Sequence, residues 1–166
     1  MPSTESSNPP VVVRQARKQD VDTVLSLIAA LADFEELPRP DEEARTRMTE
    51  HGFGAQPKFE VFLAEIEGKA VGYTISFETY STFLARPTFY LEDLFVLPEY
   101  RKQKAGLALF KNCVRLARQR ECGRMDWQVL DWNENAINFY DRLGAKRLKE
   151  WQPYRLGMDD LARLDG

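Results

Sequence analysis

Glu92 and Asp93 stand in the middle of an apolar, aromatic run, TFYLEDLFV over residues 88–96, where two adjacent carboxylates are out of place. If the run is a strand, neighbouring side chains leave opposite faces, so at least one of the pair must point toward the core or a cleft. Burying a carboxylate is costly unless it is paired. Two readings stay open: one carboxylate outward and the other salt-bridged, or a functional pair with one member facing a cleft. Directly downstream, VLPEYRKQKAG at 96–106 carries the chain through a basic turn into a helical pattern. Free N–H groups at a helix start, the helix dipole and the side chains of Arg101, Lys102 and Lys104 converge there on one point. Such a turn suits a phosphate-bearing ligand, and a solvated surface turn is the alternative. A third group, Asp33, Phe34, Glu35 and Glu36, combines acidic and aromatic side chains as an ammonium ion requires, or is a solvated helix end. Tyr140, beside Phe139, has helical spacing, where a tyrosine usually packs with its hydroxyl at the edge of the core.

The elements that must position these residues follow from periodicity. Residues 11–17 read as a strand, and Asp20 precedes Val21, Val24, Leu25, Ile28 and Leu31, which recur at helical spacing. Pro38 and Pro40 interrupt, Asp41 can cap a second helix through Glu50, and 52–57 reads as loop. Residues 59–66, a Glu67-Gly68 turn and residues 70–80 form a hairpin pattern. After a loop around Arg86-Pro87, residues 88–96 make a further strand, and 105–120 make a helix with Leu109, Phe110, Cys113, Leu116 and Ala117 on one face. Residues 125–130 read as a buried strand, Asn133 caps a helix through Leu143, and a last strand pair is expected at 145–148 and 154–156.

Composition bounds the function. The 166 residues suffice for one domain, expected over 11–166 behind a flexible polar tail at 1–10. A net charge of −3 argues against nucleic acid as the main partner and favours small cations. Cys113 and Cys122 show no metal-ligand spacing and read as packing residues in a reducing compartment. No membrane span or signal peptide is legible, so the cytoplasm is the expected location. Trp127, Trp132 and Trp151 read as core or interface anchors.

The pattern V-x-P-x-x-R-x-x-x-x-G before a long helix resembles the pyrophosphate-binding motif of GNAT acetyltransferases, usually R/Q-x-x-G-x-G/A. Two more matches accompany it: Tyr90-Leu91-Glu92-Asp93 before it, and after it Leu130-Asp131-Trp132-Asn133 with Ala136-Ile137-Asn138-Phe139-Tyr140 and Leu143-Gly144-Ala145. Together they resemble the diamine (spermidine/spermine) and thialysine N-acetyltransferases from Val11 onward. One position departs: Lys104 stands where the first motif glycine is usual, while Gly106 keeps the second. A frame shifted to Gln103–Ala108 also fits but lies two residues further from Val96 and Pro98.

The resemblance implies a mixed α/β GNAT fold with a mostly antiparallel central sheet and helices on both faces. It implies acetyl-CoA as co-substrate, no metal, a homodimer, and a small cationic amine as acceptor. Glu92 would be the general base, acting directly or through water, and Tyr140 the general acid toward the departing thiolate. A base is required because an alkyl amine of pKa about 10.4 is protonated and non-nucleophilic at neutral pH. Leu94, Phe95 and Val96 would pair with the pantetheine arm. Arg101, Lys102, Gln103, Lys104, Ala105, Gly106 and Leu107 would hold the pyrophosphate, with Asn133 and Tyr140 also touching the cofactor. Glu92, Asp93, Glu35 and Phe83 would hold the amine. Two alternatives stay open: a protein N-acetyltransferase with an open cleft, and a non-catalytic binding protein with a degenerate cofactor loop.

Overall fold

The computed structural model describes residues 7–166, so most of the expected tail lies outside the described residues. The chain divides into two compact units, one up to Gln128 and one from Val129 to Gly166.

The first unit holds a five-stranded sheet whose spatial order follows the chain: β1 (Val11–Gln15), β2 (Glu60–Ile66), β3 (Lys69–Ser81), β4 (Arg86–Val96) and β5 (Arg124–Asp126). The first four pair antiparallel and β5 pairs parallel to β4. A parallel neighbour requires a crossover, which α3 (Ala105–Gln119) supplies. Because strand side chains alternate, adjacent residues feed two separate cores. Leu63, Tyr73, Ile75 and Phe95 pack with Val24 and Leu27 of α1 (Val21–Phe34). Ala64, Val71 and Val96 pack with Ala105 and Leu109 of α3 on the other face. This is the expected three-layer arrangement. Arg14 ties β1 to Asp20 before α1 and to Glu65 of β2, each at 2.8 Å. The Arg14 guanidinium holds the Asp20 carboxyl down at about 2.

Two irregularities of β4 matter for chemistry. Ile75 faces Asp93 while Ser76 faces Leu91, so Glu92 is the extra residue of a β-bulge. And β5 reaches only Thr88, Phe89 and Tyr90, so among the described residues no strand pairs with the outer edge of β4 from Leu91 to Val96.

Several boundaries differ from the sequence reading. α2 (Glu42–Phe53) begins at the expected Asp41 cap, which accepts from the Ala44 N–H at 2.8 Å, but it continues through Gly52 and Phe53. Tertiary packing extends it: Phe53 joins the α1-side core, and a Cβ at Gly52 would stand 2.7 Å from the Phe59 ring. Arg86 and Pro87 belong to β4 rather than to a loop, a start of strand being where proline is tolerated. The buried strand expected at 125–130 is three residues long and half-exposed.

The second unit contains α4 (Glu134–Arg142) and α5 (Met158–Asp165). Asn133 caps α4 as expected, its side chain accepting from the Ala136 N–H at 3.2 Å, and Gly144 with φ 82° ends it. The strand pair expected at 145–148 and 154–156 does not form, since no strand of this unit is present for those segments to pair with. α5 was not foreseen.

Candidate active site

Chain direction places the end of α1 against the middle of β3 and β4. The Phe34 ring lies 6.1 Å from that of Phe95, and Phe95 in turn meets Tyr73, directly opposite it on β3, edge-on at 6.4 Å. Asp93, two residues before Phe95, lies on the same face by strand alternation. The fully buried Tyr73 hydroxyl donates to Asp93 Oδ2 at 3.1 Å. Burial pushes the Asp93 carboxyl up to about 6; the Tyr73 hydrogen bond opposes this, and Glu92 and Glu35 add to it. The Tyr73 phenol is itself driven well above its ordinary value, by burial first and then by Asp93, Glu35 and Glu92.

Three carboxylates therefore converge: Asp93 inside, Glu92 exposed on the bulge, and Glu35 at the end of α1. None of them forms an ion pair among the described residues. Asp33 behaves differently: Arg39 Nε donates to it at 2.7 Å and holds its carboxyl low. The acidic end of α1 is thus divided between a neutralised outer carboxylate and an unneutralised inner one. Unpaired negative charge beside aromatic rings is a site for a cation.

The basic turn lies at the far end of β4. Lys104 is the N-cap of α3 with φ 68°, and Lys102 has φ 67°. Both lysines occupy the left-handed region that favours glycine, so the backbone takes a glycine-like path with side chains attached. No side chain caps α3, and its first turn contains no acid, which leaves the first N–H groups free of side-chain acceptors. A Cβ on Gly106 would meet nothing nearer than Val96 Cγ2 at 3.8 Å and Leu94 Cδ2 at 3.9 Å. The open backbone at Gly106, the uncapped helix start and the lysines suit a diphosphate group. Leu94 and Val96 place their side chains against the α3 layer and Phe95 against α1, while their backbone follows the unpaired edge of β4. Ala105 is buried, and Gln103 and Leu107 are half-buried.

Arg101 takes a course that its place in the motif did not suggest. Its guanidinium carbon stands 4.5 Å from the Phe34 ring centroid and 5.8 Å from that of Phe95, with Nε donating to the Val96 carbonyl at 3.2 Å. The remaining expected site residues belong to other elements. Phe83 is fully exposed in the turn between β3 and β4. Asn133 and Tyr140 belong to the second unit, where Asn133 Oδ1 caps α4 and the half-buried Tyr140 ring meets Phe139 edge-on at 5.2 Å. Sequence reasoning missed Tyr73, whose place on the face of Asp93 is set by the bulged β3–β4 register, a pairing that carries no local signal in the sequence. Among the described residues no group of histidine, cysteine and carboxylate side chains is arranged to hold a metal. Cys113 is buried with its thiol pushed up to about 11, as a packing residue should be.

Residues 24–145, which include the bulged acidic strand and the open helix start, match the acetyltransferase (GNAT) family. The chain belongs to that family and is an acyltransferase enzyme. It is 34% identical over 165 residues to a thialysine N-epsilon-acetyltransferase of Mus musculus, covering 93% of this chain and 96% of that one. A stretch of 94 residues, 57% of this chain and 41% of the relative, is 42% identical to an L-ornithine N5-acetyltransferase of Arabidopsis thaliana. In fold it matches an integron cassette protein from the mobile metagenome of V. cholerae at TM-score 0.82 and 23% identity, covering 93% and 97% of the two chains.

Proposed function

We propose that this acetyltransferase moves the acetyl group of acetyl-CoA to the primary amine of a small cationic substrate, a thialysine-, ornithine- or polyamine-like molecule, by direct transfer within a ternary complex. The observation that carries the reading is the convergence of Glu35, Glu92 and Asp93 around Tyr73, none of the three in an ion pair among the described residues. Acetyl-CoA supplies the activated thioester. Lys102, Lys104 and the free N–H groups of α3 hold its diphosphate, and the backbone of Leu94, Phe95 and Val96 aligns its arm and polarises the thioester carbonyl. Asp93 and Glu35 bind the cation, and Glu92, exposed on its bulge, accepts the ammonium proton directly or through water. Tyr140 donates its phenolic proton to the departing sulfur. The names of the relatives support the amine class, one being a thialysine and another an ornithine acetyltransferase. The chain works as a homodimer with residues 11–166 as one catalytic domain; the family match crosses the division at Gln128.

Two-substrate kinetics with acetyl-CoA and a panel of thialysine, ornithine, spermidine and an N-terminal peptide test the reading. Turnover of the small amines is expected, with Glu92→Gln and Tyr140→Phe each lowering kcat by about a hundredfold and leaving the KM for acetyl-CoA within a few-fold. Faster turnover of the peptide, or undiminished kcat in both variants, would overturn it.

A further inference from the structure

Arg101 opens the basic turn, and its side chain rests on Phe34, the last residue of α1. Nε is engaged by the Val96 carbonyl, and both Phe34 and Phe95 lie within cation–π range of the guanidinium. No carboxylate of the described residues pairs with it, and burial lowers its pKa, so rings and one carbonyl hold a partly desolvated cation. Phe34 is bonded directly to the residue that carries the third carboxylate: Glu35 follows it and acts electrostatically on Asp93 and Tyr73. The same guanidinium is five residues from the start of the Gly106 backbone opening. One contact therefore joins the loop read as the cofactor site to the residues read as the amine pocket.

We propose that Arg101 and Phe34 form a positioning pair through which occupation of the cofactor loop tightens amine binding. The proposal rests on the functional reading above. With Nε held by Val96, the outer nitrogens of Arg101 remain as donors for an anion in the loop. An anion that engages them fixes the guanidinium plane, the plane fixes its seat on Phe34, and the seat holds the end of α1, with Glu35 next in the chain, against the Phe95 face of β4 that also carries Asp93. Linkage makes the effect reciprocal: a bound amine tightens the cofactor by the same factor. Neither residue touches the acetyl group or the amine nitrogen; both act through Glu35.

Calorimetric titration of the full chain with thialysine, alone and with saturating CoA, reads the coupling. The parent is expected to bind thialysine at least about fivefold more tightly with CoA present. Phe34→Leu should abolish this factor while its affinity for CoA alone stays within about threefold, and Phe34→Tyr, which keeps the ring, should restore it. A Phe34→Leu variant as strongly coupled as the parent overturns the pair, as does a parent that binds both ligands without coupling. A parent that binds neither CoA nor thialysine overturns the functional reading itself, and the pair with it. Thermal unfolding of both variants separates lost coupling from lost fold.

Discussion

Asp93 owes its character to a conflict between location and charge. Its carboxyl ordinarily titrates at 3.8, and burial carries it to about 6 in the folded chain. The folded state therefore holds the proton more tightly than the unfolded state does, and the ionised form is penalised by folding. Stability from this residue is complete below pH about 4, is lost as pH rises toward 6, and stays lost above it. Asp93→Asn keeps an acceptor for the Tyr73 hydroxyl and removes the charge. At pH 8 the variant should be more stable than the parent by about 1–3 kcal/mol, with the difference vanishing below pH 4, as urea denaturation across that range measures. A difference independent of pH would place the effect in packing instead. Under the proposed function the same variant should bind the amine less well, since the charge that destabilises the fold is the one assigned to the cation.

At the scale of elements, the basic turn keeps a glycine-like backbone without its first glycine. Holding Lys104 at φ 68° costs on the order of 1 kcal/mol. Lys104→Gly should raise stability by about 0.5–1 kcal/mol, less than the full strain because glycine loses more entropy on folding. It should also weaken acetyl-CoA binding about threefold at low salt, through loss of one cation, with the deficit fading at high salt. Tighter binding by the glycine variant would show that the side chain obstructs the site. Those elements that carry their own signal were legible in the sequence. The β2–β3 hairpin, α1, α3 and the Asn133 cap appear where alternation, helical spacing and capping residues put them. Elements decided by distant partners were not. The run at 125–130 is apolar enough for a strand, but only Met125 and Asp126 of it, with Arg124 before them, find β4, and the segments at 145–148 and 154–156 find no strand at all. α5 did carry a signal: Met158, Leu161 and Leu164 recur at helical spacing behind Asp159 and Asp160 in its first turn. The candidate site divides the same way. Glu92 and Asp93 announced themselves as acids among aromatics, whereas Tyr73 and the seat of Arg101 on Phe34 depend on which residues the sheet brings opposite each other.

For the molecule as a whole, the second unit leaves Leu148, Trp151, Tyr154 and Leu156 exposed, Trp151 by 75% and Tyr154 by 94%. These values overturn the core alternative for Trp151 and leave its expected place as an interface anchor. Apolar side chains crowded into so short a stretch are what an interface covers. Light scattering of the purified protein should give a mass near twice the 19.2 kDa of the chain, and Trp151→Glu should return it to one chain without changing the sheet content seen by circular dichroism. A parent mass of a single chain would refute the homodimer.

The bulge at Glu92 sets that residue outside the pairing of β3 with β4. On either side of that residue β3 and β4 keep the same hydrophobic phase, so skipping it leaves an uninterrupted ladder from Leu91 to Asp93. The proposed base is thus a parenthesis in the strand. Since the ladder pairs on both sides without it, an exchange of the side chain at this position should change the chemistry and leave the sheet around it in place.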